Sequence, residues 1–90
     1  MKAEEKIPGG KLVCVEVTAS GGNVGSLRIT GDFFLHPEDA IARLESALVG
    51  GPLTISEADA ESKLASALGN AQLIGVSCQD IARLFRRAVG

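Results

Sequence analysis

The chain contains no tryptophan, no tyrosine, three phenylalanines, one histidine and two cysteines. Each scarcity closes off a class of function. His36 with Cys14 and Cys78, 64 positions apart and without a C-x-x-C, cannot supply the three or four converging ligands of a zinc centre. No metal site is expected. Two cysteines are too few for a disulfide scaffold, so both read as buried free thiols in a reducing compartment. The formal net charge of −2 gives no broad attraction to nucleic acid or anionic lipid. The basic cluster of Arg83, Arg86 and Arg87 has no aromatic stacking partners and instead complements the C-terminal end of a helix. The longest uncharged stretch, Leu64 to Gln79, is broken by Ser66, Gly69, Asn70 and Gln72, and nothing here spans a bilayer. Met1 to Lys6 is charged and leads to Ile7-Pro8-Gly9-Gly10 rather than to an apolar h-region. No secretory signal and a cytoplasmic location are therefore expected.

What is present is an aliphatic chain of 90 residues, 46% of them hydrophobic, enough for one small core. Burying one large aliphatic contributes roughly 1.5–3 kcal/mol, and ordering each residue costs about 1.5 kcal/mol, so such a core is only just sufficient. A partner covering further apolar surface would help. Residues 1–10 read as an N-terminal arm ending in the breaker Pro8-Gly9-Gly10, and 11–90 as a single domain. Val13, Val15 and Val17 alternate with Leu12, Cys14, Glu16 and Thr18, a half-buried strand. After the turn Ser20-Gly21-Gly22-Asn23, Leu27 and Ile29 alternate with Ser26, Arg28 and Thr30. The two strands form a hairpin over about 11–30. Opposed residues share a face, so odd positions pair with odd, which predicts a three- or five-residue loop and excludes a two-residue Gly-Gly turn. A loop centred on Gly22 sets Val15 against Ile29 and Glu16 against Arg28, a compatible charge pair on the outer face.

Three helices follow, at 37–49, 57–68 and 78–89. Pro37 suits the first helical position, Glu38 and Asp39 the dipole, and Ile41, Leu44 and Leu48 the buried stripe. Gly50-Gly51-Pro52 stops that helix. Ser56 with Asp59, and Ser77 with Asp80, repeat one capping device ahead of Ala60, Leu64, Ala67 and Leu68 and of Ile81, Leu84, Phe85 and Ala88. Gln72 to Val76 reads either as a short third strand or as an extended connector. The fold class is α+β, with helices packed on one face of a small antiparallel sheet.

Chemistry is sparse. His36, before a proline at a helix start, needs no function beyond a cap or a solvated side chain. No G-x-S-x-G elbow marks a nucleophile, and so short a chain leaves little room for a substrate cleft. Asp32 stands apart from the carboxylates at helix starts: it lies in Gly31-Asp32-Phe33-Phe34, where it can bond nearby backbone N–H groups. Adjacent aromatics rarely both face inward, so Phe33 or Phe34 is a candidate for a partner surface. Lys6, Gly9, Gly10 and Lys11 set two cations around a glycine pair that lets backbone approach an anion. The P-loop spacing is missing, and a flexible lead-in to the sheet explains the pair equally well.

Three runs carry a family resemblance in order. Lys6-Ile7-Pro8-Gly9-Gly10-Lys11-Leu12-Val13-Cys14-Val15 resembles the opening of the accessory domain of lipoate-protein ligases. Ile29-Thr30-Gly31-Asp32-Phe33-Phe34 is similar to its second run, and Pro37-Glu38 with Ile41, Leu44-Glu45, Leu48 and Gly50 to its third. The likeness covers residues 6 to 50, and beyond it only the helical character matches. It implies a non-catalytic domain that works with a large catalytic domain holding ATP (with Mg), lipoate and the reactive lysine. The domain is then needed for making lipoyl-AMP and so for lipoylating acceptor-domain lysines. The large domain is absent here, which leaves an excised fragment or a natural split subunit; Met1 with a charged leading segment favours the separate small subunit of a split ligase, inactive alone and working as a heterodimer. Lipoyl-acceptor domains are then met only indirectly. The resemblance puts Lys6, Gly9, Gly10 and Lys11 in the segment nearest the catalytic partner, where Lys11 or Lys6 is a candidate to hold the phosphates or the adenylate, or where the segment only positions the domain. Asp32, Phe33, Phe34, Glu16 and Arg28 are the candidates for the partner interface. No catalytic residue and no cofactor of its own is expected. The other functional classes consistent with the residues are a generic interaction module docking on a different enzyme and an independent small-molecule-binding domain using the Gly-Gly loop.

Overall fold

The computed structural model describes residues 1–9 and 11–90. Strands β1 (Lys2–Ile7), β2 (Lys11–Ser20) and β3 (Asn23–Gly31) form an antiparallel sheet in sequence order. Strand β4 (Phe34–His36) leaves it and is followed by α1 (Ala40–Ser46) and α2 (Glu57–Leu68). Strand β5 (Gln72–Ile74) returns to pair with β4, and α3 (Cys78–Val89) closes the fold. The class is the expected α+β. One sheet face carries Val13, Val15, Val17, Leu27 and Ile29 into a core shared with Leu44, Leu48, Leu64, Ile81, Leu84 and Phe85. Helix α3 packs on β1 and β2, α1 on β3, and α2 on both other helices.

The expected arm over residues 1–10 is corrected: residues 2–7 are an edge strand. Ala3 pairs with Val15, Glu5 with Val13 and Ile7 with Lys11. Ala3 and Ile7 are buried while Lys2, Glu4 and Lys6 are exposed, the period-two pattern of a half-buried strand. Alanine, glutamate and lysine are poor strand formers, so the pattern was carried by weak residues and only the β2 partner makes it a strand.

The hairpin register is the expected one, with Val15 opposite Ile29 and Glu16 opposite Arg28. The loop is not. Ser20 pairs with Asn23 across the two-residue turn Gly21-Gly22, whose positive φ values of 58° and 84° suit the tight mirror-image hairpin turn. Parity is restored by a bulge: Thr18 pairs with Ser26 but Ala19 with Val24, so Gly25 is the extra residue. A Cβ at Gly25 would crowd Ser20 and Thr18, which favours glycine there. Glu16 and Arg28 form no ion pair, among the described residues, despite their register.

The candidate third strand exists but belongs elsewhere. Gln72 to Ile74 does not extend the hairpin; it pairs with β4 as a separate two-stranded ribbon. The first helix is shorter than 37–49: Pro37, Glu38 and Asp39 lie ahead of it, Asp39 stands at the cap position without a side-chain bond, and His36 ends β4. Helices α2 and α3 keep the expected spans. Ser56 accepts from the Asp59 amide, and Ser77 and Asp80 complete a reciprocal capping box. The two thiols are free but half-buried rather than buried, and burial followed by the nearby Glu61 carboxylate raises that of Cys78.

Candidate functional site

The end of the sheet opposite the Gly21-Gly22 turn gathers most of the singled-out residues. Gly31 closes β3 with φ 153°, and a Cβ there would run into the Leu12 carbonyl. Only glycine lets the strands approach at this point. The Asp32 amide then donates to the Leu12 carbonyl at 3.1 Å, and Asp32 Oδ1 accepts from the Leu12 amide at 2.6 Å. A side-chain oxygen thus replaces the next ladder acceptor while the chain turns out of the sheet. Asp32 is thereby engaged with backbone next to Lys11.

Turning out of the sheet separates the two aromatics. Phe33 is half-buried and packs on the core; Phe34 is 65% exposed. In the ribbon Phe34 is paired with Ile74, itself 56% exposed, whereas Leu35 and Leu73 pack inward. Apolar side chains therefore occupy both faces of the ribbon, which alternation would normally spare. The ammonium of Lys11 stands 5.5 Å from the centroid of the Phe34 ring, within cation–π reach. The Lys11 stem runs against Gly75, which follows β5. Phe34 also lines an open groove of about 430 Å³ together with residues including Ile29, Gly31, Phe33, Glu38 and Ile41.

Lys11, Asp32 and Phe34 are thus neighbours. Lys6 is not with them: it pairs with Leu12 and its side chain leaves the sheet face opposite that of Lys11. Gly9 is exposed at the β1–β2 turn with φ 106°, and Gly10 lies outside the described residues. Glu16 and Arg28 are exposed in mid-sheet, away from the Lys11 end. Ile74 and Gly75 join the site although nothing in the sequence pointed to them beyond an apolar run of undecided form. Among the described residues no cluster of three or more potential metal ligands occurs, and no helix is long and apolar enough to cross a membrane.

The C-terminal arginines brace α3 against β1 and the α1–α2 connection. Glu5 on β1 receives Arg83 at 2.6 Å and Arg87 at 2.7 Å, and Arg83 also meets Asp80 at 3.0 Å. The Glu5 bond, ahead of the Asp80 bond, raises the Arg83 guanidinium further above its ordinary value, although burial works against it. Arg86 donates to the Leu53 carbonyl at 2.6 Å. These arginines tie helix to strand and loop rather than only complementing the helix end.

No protein-family model matches the chain. Over 42 residues, 47% of this chain, it is 40% identical to Lipoate-protein ligase A subunit 2 of Thermoplasma acidophilum. That alignment spans 45% of the relative's own length. The fold extends the likeness: a chain from the structure of an archaeal lipoylation system, a bi-partite lipoate protein ligase and its E2 lipoyl domain from Thermoplasma acidophilum, superposes with a TM-score of 0.78. It covers 96% of this chain and 93% of that one, at 25% identity. In sequence over those 42 residues, and in fold over nearly its whole length, the chain is similar to proteins of a bi-partite lipoate-protein ligase system. In this chain the three resembling runs come together in space: the first supplies Lys11, the second Gly31 to Phe34, and the third the helix α1 beside them. Residues 51–90, outside those runs, provide the ribbon strand and Gly75 that complete the site.

Proposed function

We propose that this chain is the non-catalytic small subunit of a bipartite lipoate-protein ligase. It acts with a large catalytic subunit in ATP-dependent activation of lipoate to lipoyl-AMP, and so in lipoylation of acceptor-domain lysines. ATP, with its Mg, and lipoate are bound by that catalytic subunit, and the assembly works in the cytoplasm. The observation that carries this reading is the Lys11 end of the sheet. It combines a cation with no carboxylate within 4.0 Å among the described residues, the exposed Phe34–Ile74 pair, and a backbone-locked Asp32. Exposed apolar side chains next to a cation suit a surface that another protein covers.

In adenylation the lipoate carboxylate attacks the α-phosphorus of ATP; the new C–O–P bond forms as the bond to pyrophosphate breaks. Negative charge collects on the phosphoryl oxygens and the leaving group. A positioned ammonium from Lys11 stabilises that charge once the partner excludes water, and a donor of this type is worth about 10²–10³ in rate. Lys6, on the other sheet face, serves this role less well. Phe34 and Ile74 contribute the apolar centre of the docking surface, and Glu16 and Arg28 lie at its margin if it extends over the outer sheet face.

The test is lipoyl-AMP formation from ATP and lipoate by the catalytic subunit, with and without this chain. Activity that requires both supports the reading. A catalytic subunit fully active alone, and unable to bind this chain, overturns it in favour of an interaction module for another enzyme.

A further inference from the structure

Gly75 does more than turn the chain from β5 into α3. An ideal Cβ at this position would lie 2.7 Å from Lys11 Cγ and 3.4 and 3.5 Å from its Cδ and Cε. Three successive carbons of the lysine stem thus lie along the bare backbone of Gly75. The same stem delivers its ammonium to the Phe34 ring, 5.5 Å from the centroid. Phe34 is held by its pairing with Ile74, the residue before Gly75. The ribbon therefore supplies both the floor and the end-stop of a slot for one side chain. A long lysine has many rotamers, and a slot that selects one places the charge before any partner arrives.

We infer that Gly75 is a positioning residue for Lys11: its missing side chain sets the path of the lysine stem and hence the place of the ammonium. The inference rests on the proposal that Lys11 meets an anion in the assembled ligase. Its φ of 95° is itself a reason for glycine, so backbone strain and slot filling must be separated. Gly75→Asn fills the slot with the non-glycine residue that best tolerates positive φ, and Gly75→Ala fills it with the smallest side chain.

Both variants, with Lys11→Ala and the two double variants, are assayed as complexes with the catalytic subunit for lipoyl-AMP formation. Folding of each is followed by circular dichroism. The expected result is a roughly tenfold fall in kcat for the folded Gly75 variants, with KM for ATP and lipoate little changed. In the Lys11→Ala background the same substitutions cause no further loss of kcat, while any loss of melting temperature from strain persists. A Gly75 effect on kcat that is undiminished in that background overturns the positioning role and leaves the Lys11 reading intact. So does a folded Gly75→Asn complex with normal kcat. If Lys11→Ala alone leaves kcat unchanged, the Lys11 reading fails and the inference fails with it.

Discussion

The two ends of the three-stranded sheet solve the same problem, how to finish a hairpin, in opposite ways. At the Gly21-Gly22 end the chain satisfies itself. The Val24 amide and carbonyl bond to Gly51 and Gly50, the Leu53 amide bonds to the Gly22 carbonyl, and Asn23 bridges to Pro52, so the α1–α2 connection covers the β3 edge. At the Lys11 end the backbone is closed by a single carboxylate, Asp32, while Phe34, Ile74 and the Lys11 ammonium face outward. The first end is covered within the domain; the second leaves apolar side chains and a cation at the surface. A hydrogen-bonded backbone and exposed apolar side chains therefore coexist at the Lys11 end, the combination that the proposed docking role needs.

Several substitutions break or sharpen that contrast. Gly31→Ala is expected to have the largest effect, because its Cβ meets the Leu12 carbonyl in a conformation that side chains avoid; about 3 kcal/mol should be lost in a urea titration. Lys11→Ala should leave thermal unfolding unchanged but lower lipoyl-AMP formation by the assembled enzyme by about 100-fold. Unchanged activity would remove Lys11 from the mechanism. Replacing Phe34 and Ile74 together by alanine should weaken affinity for the catalytic subunit about tenfold by titration calorimetry, since both are largely exposed in the isolated domain.

Smaller effects come from the polar bonds that start α3 and brace it on β1. Burial is the largest single influence on the Asp80 carboxyl and would raise it, but the Ser77 amide and hydroxyl together with Arg83 outweigh it and hold the carboxyl below the ordinary range. A group depressed in the native state contributes stability that is present above its unfolded pKa, near ~3.9, and is lost as pH falls through the native value. Asp80→Asn should therefore cost about 1 kcal/mol at neutral pH and flatten the acid limb of the stability profile. Least of all should follow from Gly21→Asn at the closed end. Its φ of 58° is one that asparagine adopts, and no atom lies within 4 Å of the new Cβ. Stability should move by less than about 0.5 kcal/mol, and the joint activity should not move.

How much of this was legible in the sequence depends on how local each signal is. Ser77 and Asp80 announce their helix within four residues, and the valine alternation announces β2, because capping and pleating act between near neighbours. The same alternation correctly opposed Val15 to Ile29 yet misjudged the turn, since the bulge at Gly25 shifts parity without altering the buried face. Asp32 was legible as a carboxylate that bonds backbone, but not as the partner of Leu12, twenty positions away.

Local signals were enough for the α+β class, the hairpin register and the spans of α2 and α3, because hydrophobic periodicity and terminal caps act over short range. Tertiary structure alone decided three things: that residues 2–7 are a strand, that β5 joins β4 rather than the hairpin, and that Lys11 lies between Phe34 and Gly75. Weak strand formers take their conformation from the partner that pairs with them, here β2 for β1. A short apolar run such as Gln72 to Ile74 takes its place from whichever edge the packed helices leave within reach. Lys11 and Gly75 meet because α3 packs on β1 and β2 while α2 packs on α3, a consequence of the core as a whole and of no segment within it.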